Sequence, residues 1–99
     1  MVRITRARTI DGLTGWLQLD FDNNEQKFVD IKPVMNGSLE RLKDPEFFQK
    51  VYVDQELGTV TWPGELDLDP DNLYQQGINA KEIRILAREF SPGEWAEHA

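Results

Sequence analysis

Trp16-Leu17-Gln18-Leu19-Asp20-Phe21, then Asp22-Asn23-Asn24-Glu25, then Lys27-Phe28-Val29-Asp30-Ile31, spells out a β-hairpin with one apolar face. Its first six residues alternate apolar and polar, which puts Leu17, Leu19 and Phe21 on one face of a strand. The next four form a turn by composition, because Asn and Asp tolerate left-handed backbone. The last five return as the partner strand. Pro33 cannot donate to a ladder, so that strand ends near it.

Working outward, Val2 to Ile10 is rich in β-branched residues and predicts a strand broken by Asp11-Gly12. Downstream, Asp44-Pro45-Glu46-Phe47-Phe48 begins a short helix. Asp44 is its N-cap, Pro45 its first helical residue, and Glu46 an acid in the positive first turn. It should stop near Lys50 and pack Phe47 or Phe48 on the sheet. Val51-Tyr52-Val53 and Thr59-Val60-Thr61-Trp62 predict two strands around a turn at Gln55-Glu56-Leu57-Gly58, with Pro63-Gly64 ending the second.

Asp69-Pro70-Asp71-Asn72-Leu73-Tyr74 repeats the cap-proline-acid pattern and opens another short helix, closed by Gly77. Asn79-Ala80-Lys81-Glu82 has a capping-box layout. Ile83, Leu86, Ala87 and Phe90 follow at helical spacing, although Ile83, Ile85 and Ala87 also alternate as a strand would.

The 99 residues suit one domain, and cysteine is absent, which removes disulfides, thiolate zinc sites and a cysteine nucleophile. The N-terminal residues lack the apolar run of a signal peptide, and no stretch is long and apolar enough for a membrane span. The expectation is a soluble cytoplasmic protein. The formal charge is −7 and unevenly placed. Residues 51–80 hold six acids (Asp54, Glu56, Glu65, Asp67, Asp69 and Asp71) and no Lys or Arg. That sign is wrong for releasing counterions from phosphates, so direct nucleic-acid binding is not expected. An acidic stretch can steer a basic partner, or simply keep the chain soluble.

Catalytic inventories are thin. The one histidine, His98, is next to the last residue, and a triad or zinc site needs several convergent groups. No glycine-rich phosphate loop is present. Asp67, Asp69 and Asp71 alternate like the start of a calcium loop, but its sixth position is Asn72 and its twelfth Ile78. Asp67 and Asp69 on one side of an extended segment could hold a hard cation weakly. The competing reading makes Asp69 a helix cap. Trp62 is either a binding anchor or a core plug at the end of its strand.

Phe47-Phe48-Gln49-Lys50-Val51-Tyr52-Val53-Asp54, Gly58-Thr59-Val60-Thr61-Trp62-Pro63, Asp67-Leu68-Asp69-Pro70 and Leu73-Tyr74 together resemble a small prokaryotic family, domain of unknown function 2442. Leu42-Lys43-Asp44-Pro45 and Val29-Asp30-Ile31 fit as well, so the resemblance covers about residues 2–76. It implies a compact α+β domain with a mixed sheet. Some members carry a helix-turn-helix domain behind it, and others are encoded beside a small toxin-like protein, which implies an antitoxin-like role. No catalytic residues are carried over. Residues 78–99 are too short for a helix-turn-helix domain, and Gly64-Glu65-Leu66 departs from a more polar, Asn-Gly-like turn.

The reading is therefore an α+β, two-layer domain: a mixed or antiparallel sheet of about five strands, short helices and a C-terminal helix. Residues 1–77 form the domain, and 78–99 a helical extension packed on it. The expected function is a non-enzymatic protein-interaction module, antitoxin-like, without cofactor, metal or catalytic residues. It would bind a basic protein through Asp54, Glu56, Trp62, Glu65, Asp67, Asp69 and Asp71. The alternative is a metal-dependent or carboxylate-based enzyme centred on Asp67 and Asp69. A homodimer through an exposed edge strand or the Ile83–Phe90 face is a further possibility.

Overall fold

The computed structural model describes residues 1–82. The helix-or-strand question at Ile83–Phe90, the dimer face drawn there, and His98 lie outside the described residues.

The hairpin forms as its pattern dictates. Strands β2 (Leu13–Phe21) and β3 (Gln26–Asp30) pair antiparallel, with Leu17 opposite Val29 and Asp20 opposite Gln26. Leu17, Leu19, Phe21 and Val29 are all buried on one face. Between the strands Asn24 takes φ 68°, the left-handed conformation its side chain tolerates. Strand β1 (Ile4–Ile10) lies antiparallel on the other side of β2. β2 starts three residues before the alternating run because Gly15, at φ +83°, lets the chain bend in where a Cβ would stand 2.6 Å from Lys32 Cγ.

Beyond β3 the chain leaves the sheet through short 3-10 segments at Lys32–Val34 and Gly37–Lys43. Helix α1 (Pro45–Phe48) follows, and Asp44 Oδ1 accepts the Glu46 N–H at 3.1 Å, the cap expected of Asp-Pro. Both phenylalanines are buried. Three more strands then pair antiparallel in sequence order: β4 (Tyr52–Asp54), β5 (Thr59–Trp62) and β6 (Leu66–Asp67). Helix α2 (Pro70–Gln76) begins on the second cap, with Asp69 Oδ1 accepting the Asp71 N–H at 3.0 Å.

Among the described residues the fold is α+β and antiparallel throughout, but its strands form two sheets, of four and three, instead of one of about five. β1 ladders only with β2 while β4 ladders with β5, so the two neighbouring strands lie side by side unpaired. A single backbone bond, Ile4 N–H to Gly58 O at 2.8 Å, stitches β1 to the β4–β5 turn.

The expected boundary at residue 77 also moves. Ile78–Asn79 form strand β7, which pairs with β3 as the fourth strand of the first sheet, so the helical extension does not begin at 78. Gly77 closes α2 as expected, in extended backbone (φ −73°, ψ 151°). Its small size serves a close approach: a Cβ there would meet Lys27 Cβ at 2.9 Å and Val29 Cγ2 at 3.0 Å. That approach brings β7 against β3. Helical backbone resumes at Ala80, with Asn79 Oδ1 accepting the Lys81 N–H at 2.8 Å, as the capping layout predicts.

One hydrophobic cluster serves both sheets. Ile4, Leu17, Leu19, Phe21, Val29 and Ile31 meet Val60 and Trp62, with Phe47 and Phe48 of α1 and Leu73 of α2 covering them. Trp62 is fully buried. Its Nε1–H donates to Phe48 O at 2.9 Å, so its one polar atom is satisfied, and its ring lies 5.7 Å from that of Phe48. Trp62 therefore leaves the set of surface residues and is the core plug.

Candidate functional site

Register builds an outer face on the second sheet. Across β4, β5 and β6, Tyr52 stands opposite Thr61, which stands opposite Asp67, and Asp54 stands opposite Thr59. Directly opposed residues share a face, and neighbours along a strand alternate. Val53, Val60, Trp62 and Leu66 thus point to the core, and Tyr52, Asp54, Thr59, Thr61 and Asp67 to the other side. Tyr52 is 49% exposed and Asp67 is exposed, with the two threonines buried between their neighbours. Leu68 N–H donates to Val60 O at 3.3 Å, which makes Leu66 and Leu68 the bonded positions of β6. The Asp67 backbone groups consequently look away from β5, toward the free edge. Tyr52 was missed as a site residue, although the alternation of Val51-Tyr52-Val53-Asp54 already set it beside Asp54.

The six acids sort into two kinds. Asp54 Oδ1 accepts the N–H groups of Glu56 and Leu57 at 2.9 and 3.1 Å, closing the β4–β5 turn. Asp69 caps α2, and Asp71 Oδ1 accepts the Val2 N–H at 3.3 Å. These three hold structure. Glu56, Glu65 and Asp67 are exposed, and their carboxylates accept no hydrogen bond from another described residue. Contiguous in sequence, the acids are spread in space. Glu56 lies in the turn before β5 and Glu65 in the turn after it, at opposite ends of the strand, with Asp67 between them. Arg3 reaches the first of these turns, donating from Nη2 to Gln55 O at 2.6 Å and Glu56 O at 3.2 Å.

Asp69 already serves the α2 backbone, and among the described residues no three His, Cys, Asp or Glu side chains gather to hold a metal.

A second polar cluster fastens α2 and β7 to the hairpin turn. The Glu25 carboxylate accepts from Tyr74 Oη, from Asn23 Nδ2 at 2.9 Å and from Asn79 Nδ2 at 3.2 Å. Lys27 Nζ donates to Tyr74 O at 2.7 Å and lies 3.8 Å from the Tyr74 ring centre. The Tyr74 hydroxyl above all, then the Asn23 amide, holds the Glu25 carboxyl below its ordinary value against a small loss of hydration. The same bond raises the Tyr74 phenol above 10.0.

These features define a small antiparallel α+β domain with exposed acids on the outer face and turns of its second sheet. Residues 5–79 match the family described as Protein of unknown function (DUF2442), and the chain belongs to that family. No curated protein and no solved structure matches it. Among the described residues no helix is long and apolar enough to cross a membrane.

Proposed function

We propose that this chain is a non-enzymatic, cytoplasmic protein-interaction module, antitoxin-like, that docks a basic protein on the outer face of the β4–β5–β6 sheet. The observation that carries this reading is one surface on which Tyr52 and Asp67 stand exposed in register, with the uncommitted Glu56 and Glu65 at its two ends. Tyr supplies contact area at low entropic cost, and the acids supply steering. The antitoxin-like role comes from the family resemblance. The carboxylate-enzyme alternative draws little support from Asp69, whose side chain already receives a backbone N–H.

Co-expression with the product of the adjacent gene tests the proposal. The partner should co-purify at low salt and be lost as salt rises, because exposed charges are screened beyond ~10 Å at 0.1 M. Asp67→Lys should weaken capture, whereas Asp69→Asn should leave it intact. No co-purification at low salt overturns the reading.

A further inference from the structure

A cleft of about 360 Å³ opens on another part of the molecule, between the β1–β2 turn, the two 3-10 segments and α1. Of the six acids between Asp54 and Asp71, none lines it. Its floor is apolar: Met35, Leu42 and Phe48, each nearly inaccessible and part of the core. Ile10 and Leu13 form a wall, and Leu13 is 48% exposed at the mouth. The space is worth about a dozen waters, within the lower range of small-ligand sites.

Among the described residues, the charged groups lining the cleft are Lys32, Lys43 and Asp11. The two ammonium groups differ. Lys32 Nζ is committed, 2.9 Å from Asp30 Oδ1 and 3.4 Å from Thr14 O, with its stem laid over Gly15. Among the described residues Lys43 Nζ has only Glu40 at 4.0 Å, and its side chain is 62% exposed. A loose surface pair of that kind holds its partner weakly. Lys43 is therefore the cation free to turn toward a guest whose apolar body covers Leu13 and Met35.

We infer that this cleft binds a small apolar carboxylate, its chain against Ile10, Leu13 and the edge of Met35 and its carboxylate against Lys43. Octanoate is a suitable probe, with 1-octanol as the uncharged and acetate as the chainless control. For about ten heavy atoms, a dissociation constant on the order of 100 µM is expected.

The test is a titration of the whole chain followed by backbone amide shifts. Octanoate should shift Gly12–Gly15, Met35 and Leu42–Phe48 saturably, acetate should shift nothing, and 1-octanol should bind at least several-fold more weakly. Lys43→Glu should weaken octanoate about tenfold while leaving 1-octanol unchanged. Leu13→Ser should weaken both. Both side chains are exposed at the rim, so these variants should fold normally. No saturable shift by about 5 mM octanoate, well above the expected constant, overturns the inference. So does saturation at other residues, equal binding of 1-octanol, or Lys43→Glu binding octanoate like the parent. Partner capture plays no part in these readouts, so this inference fails independently of the docking proposal.

Discussion

The two sheets are built from similar strands but expose their logic differently. In the four-stranded sheet one face is buried and the other is not, so Leu17, Leu19 and Phe21 alternate with half-buried Trp16, Gln18 and Asp20. In the three-stranded sheet the middle strand is buried along its whole length, Thr59 and Thr61 included. Its outward face is announced only by the flanking strands, at Tyr52, Asp54 and Asp67. A one-sided sheet writes its orientation into every strand, whereas a small sheet with a covered centre writes it only at the edges.

The largest effect that would break this contrast lies at Trp62. Trp62→Ala removes the core plug and the shorter of the two hydrogen bonds to Phe48 O, leaving that from the Val51 N–H, and should cost about 3–5 kcal/mol in urea unfolding. Tyr52→Ala, on the adjacent strand and opposite Thr61 but on the outer face, should change stability by no more than about 0.5 kcal/mol. Equal losses would mean that the outer face is part of the core.

The next effect separates structural from free acids. Asp69→Ala should lose about 1 kcal/mol, and Asp69→Asn much less, because Asn caps nearly as well. Asp67→Ala should lose little by the same measurement, since its carboxylate holds nothing in place. A smaller change, of opposite sign, is expected at Glu65. It sits at φ 62° after Gly64 at φ 93°, a left-handed pair in a three-residue hairpin turn. Glu65→Asn should stabilise the fold by about 0.5 kcal/mol, because Asn tolerates that backbone better. This is also where the chain departs from the more polar turn expected of its family.

The finest probe concerns the Glu25–Tyr74 fastening of the first sheet. The Glu25 carboxyl is depressed in the fold, so its contribution to stability is complete above the unfolded value near 4.5 and is lost as pH falls through the folded value. Tyr74 is raised, so its contribution is complete below 10.0 and is lost as pH rises through the folded value. Tyr74→Phe should flatten both limbs. Unfolding midpoints for the two proteins that fall in parallel below about pH 5 would exclude this coupling.

Much of the fold was legible because it is locally encoded. Both Asp-Pro caps, the Asn24 turn and the hairpin register follow from residues within a few positions of one another. Gly77 closes α2 as its position predicts, but the need for a glycine there is not local. A glycine after a helix is normally explained by left-handed backbone, but here its neighbours in space, Lys27 and Val29, decide it from some fifty residues away. Trp62 shows the same limit. Its strand was recognisable, but whether its ring faced water or Phe48 depended on α1. The acidic stretch was legible as charge and not as a surface, because β5 runs through its middle and parts Glu56 from Glu65.

Sequence alone sets β1 to β5, the two capped helices, the hairpins and the acidic character of residues 54–71, but neither the 3-10 segments nor the two-residue strands β6 and β7. Alternation, caps and turns act between near neighbours, and charge needs no fold to be counted. Tertiary structure alone decided that the strands divide into two sheets, that β7 joins the first of them, and that Trp62 is buried while Tyr52 is exposed. It also decided which acids hold backbone and which stand free. These outcomes depend on which distant segments meet, and so on the packing of one shared core.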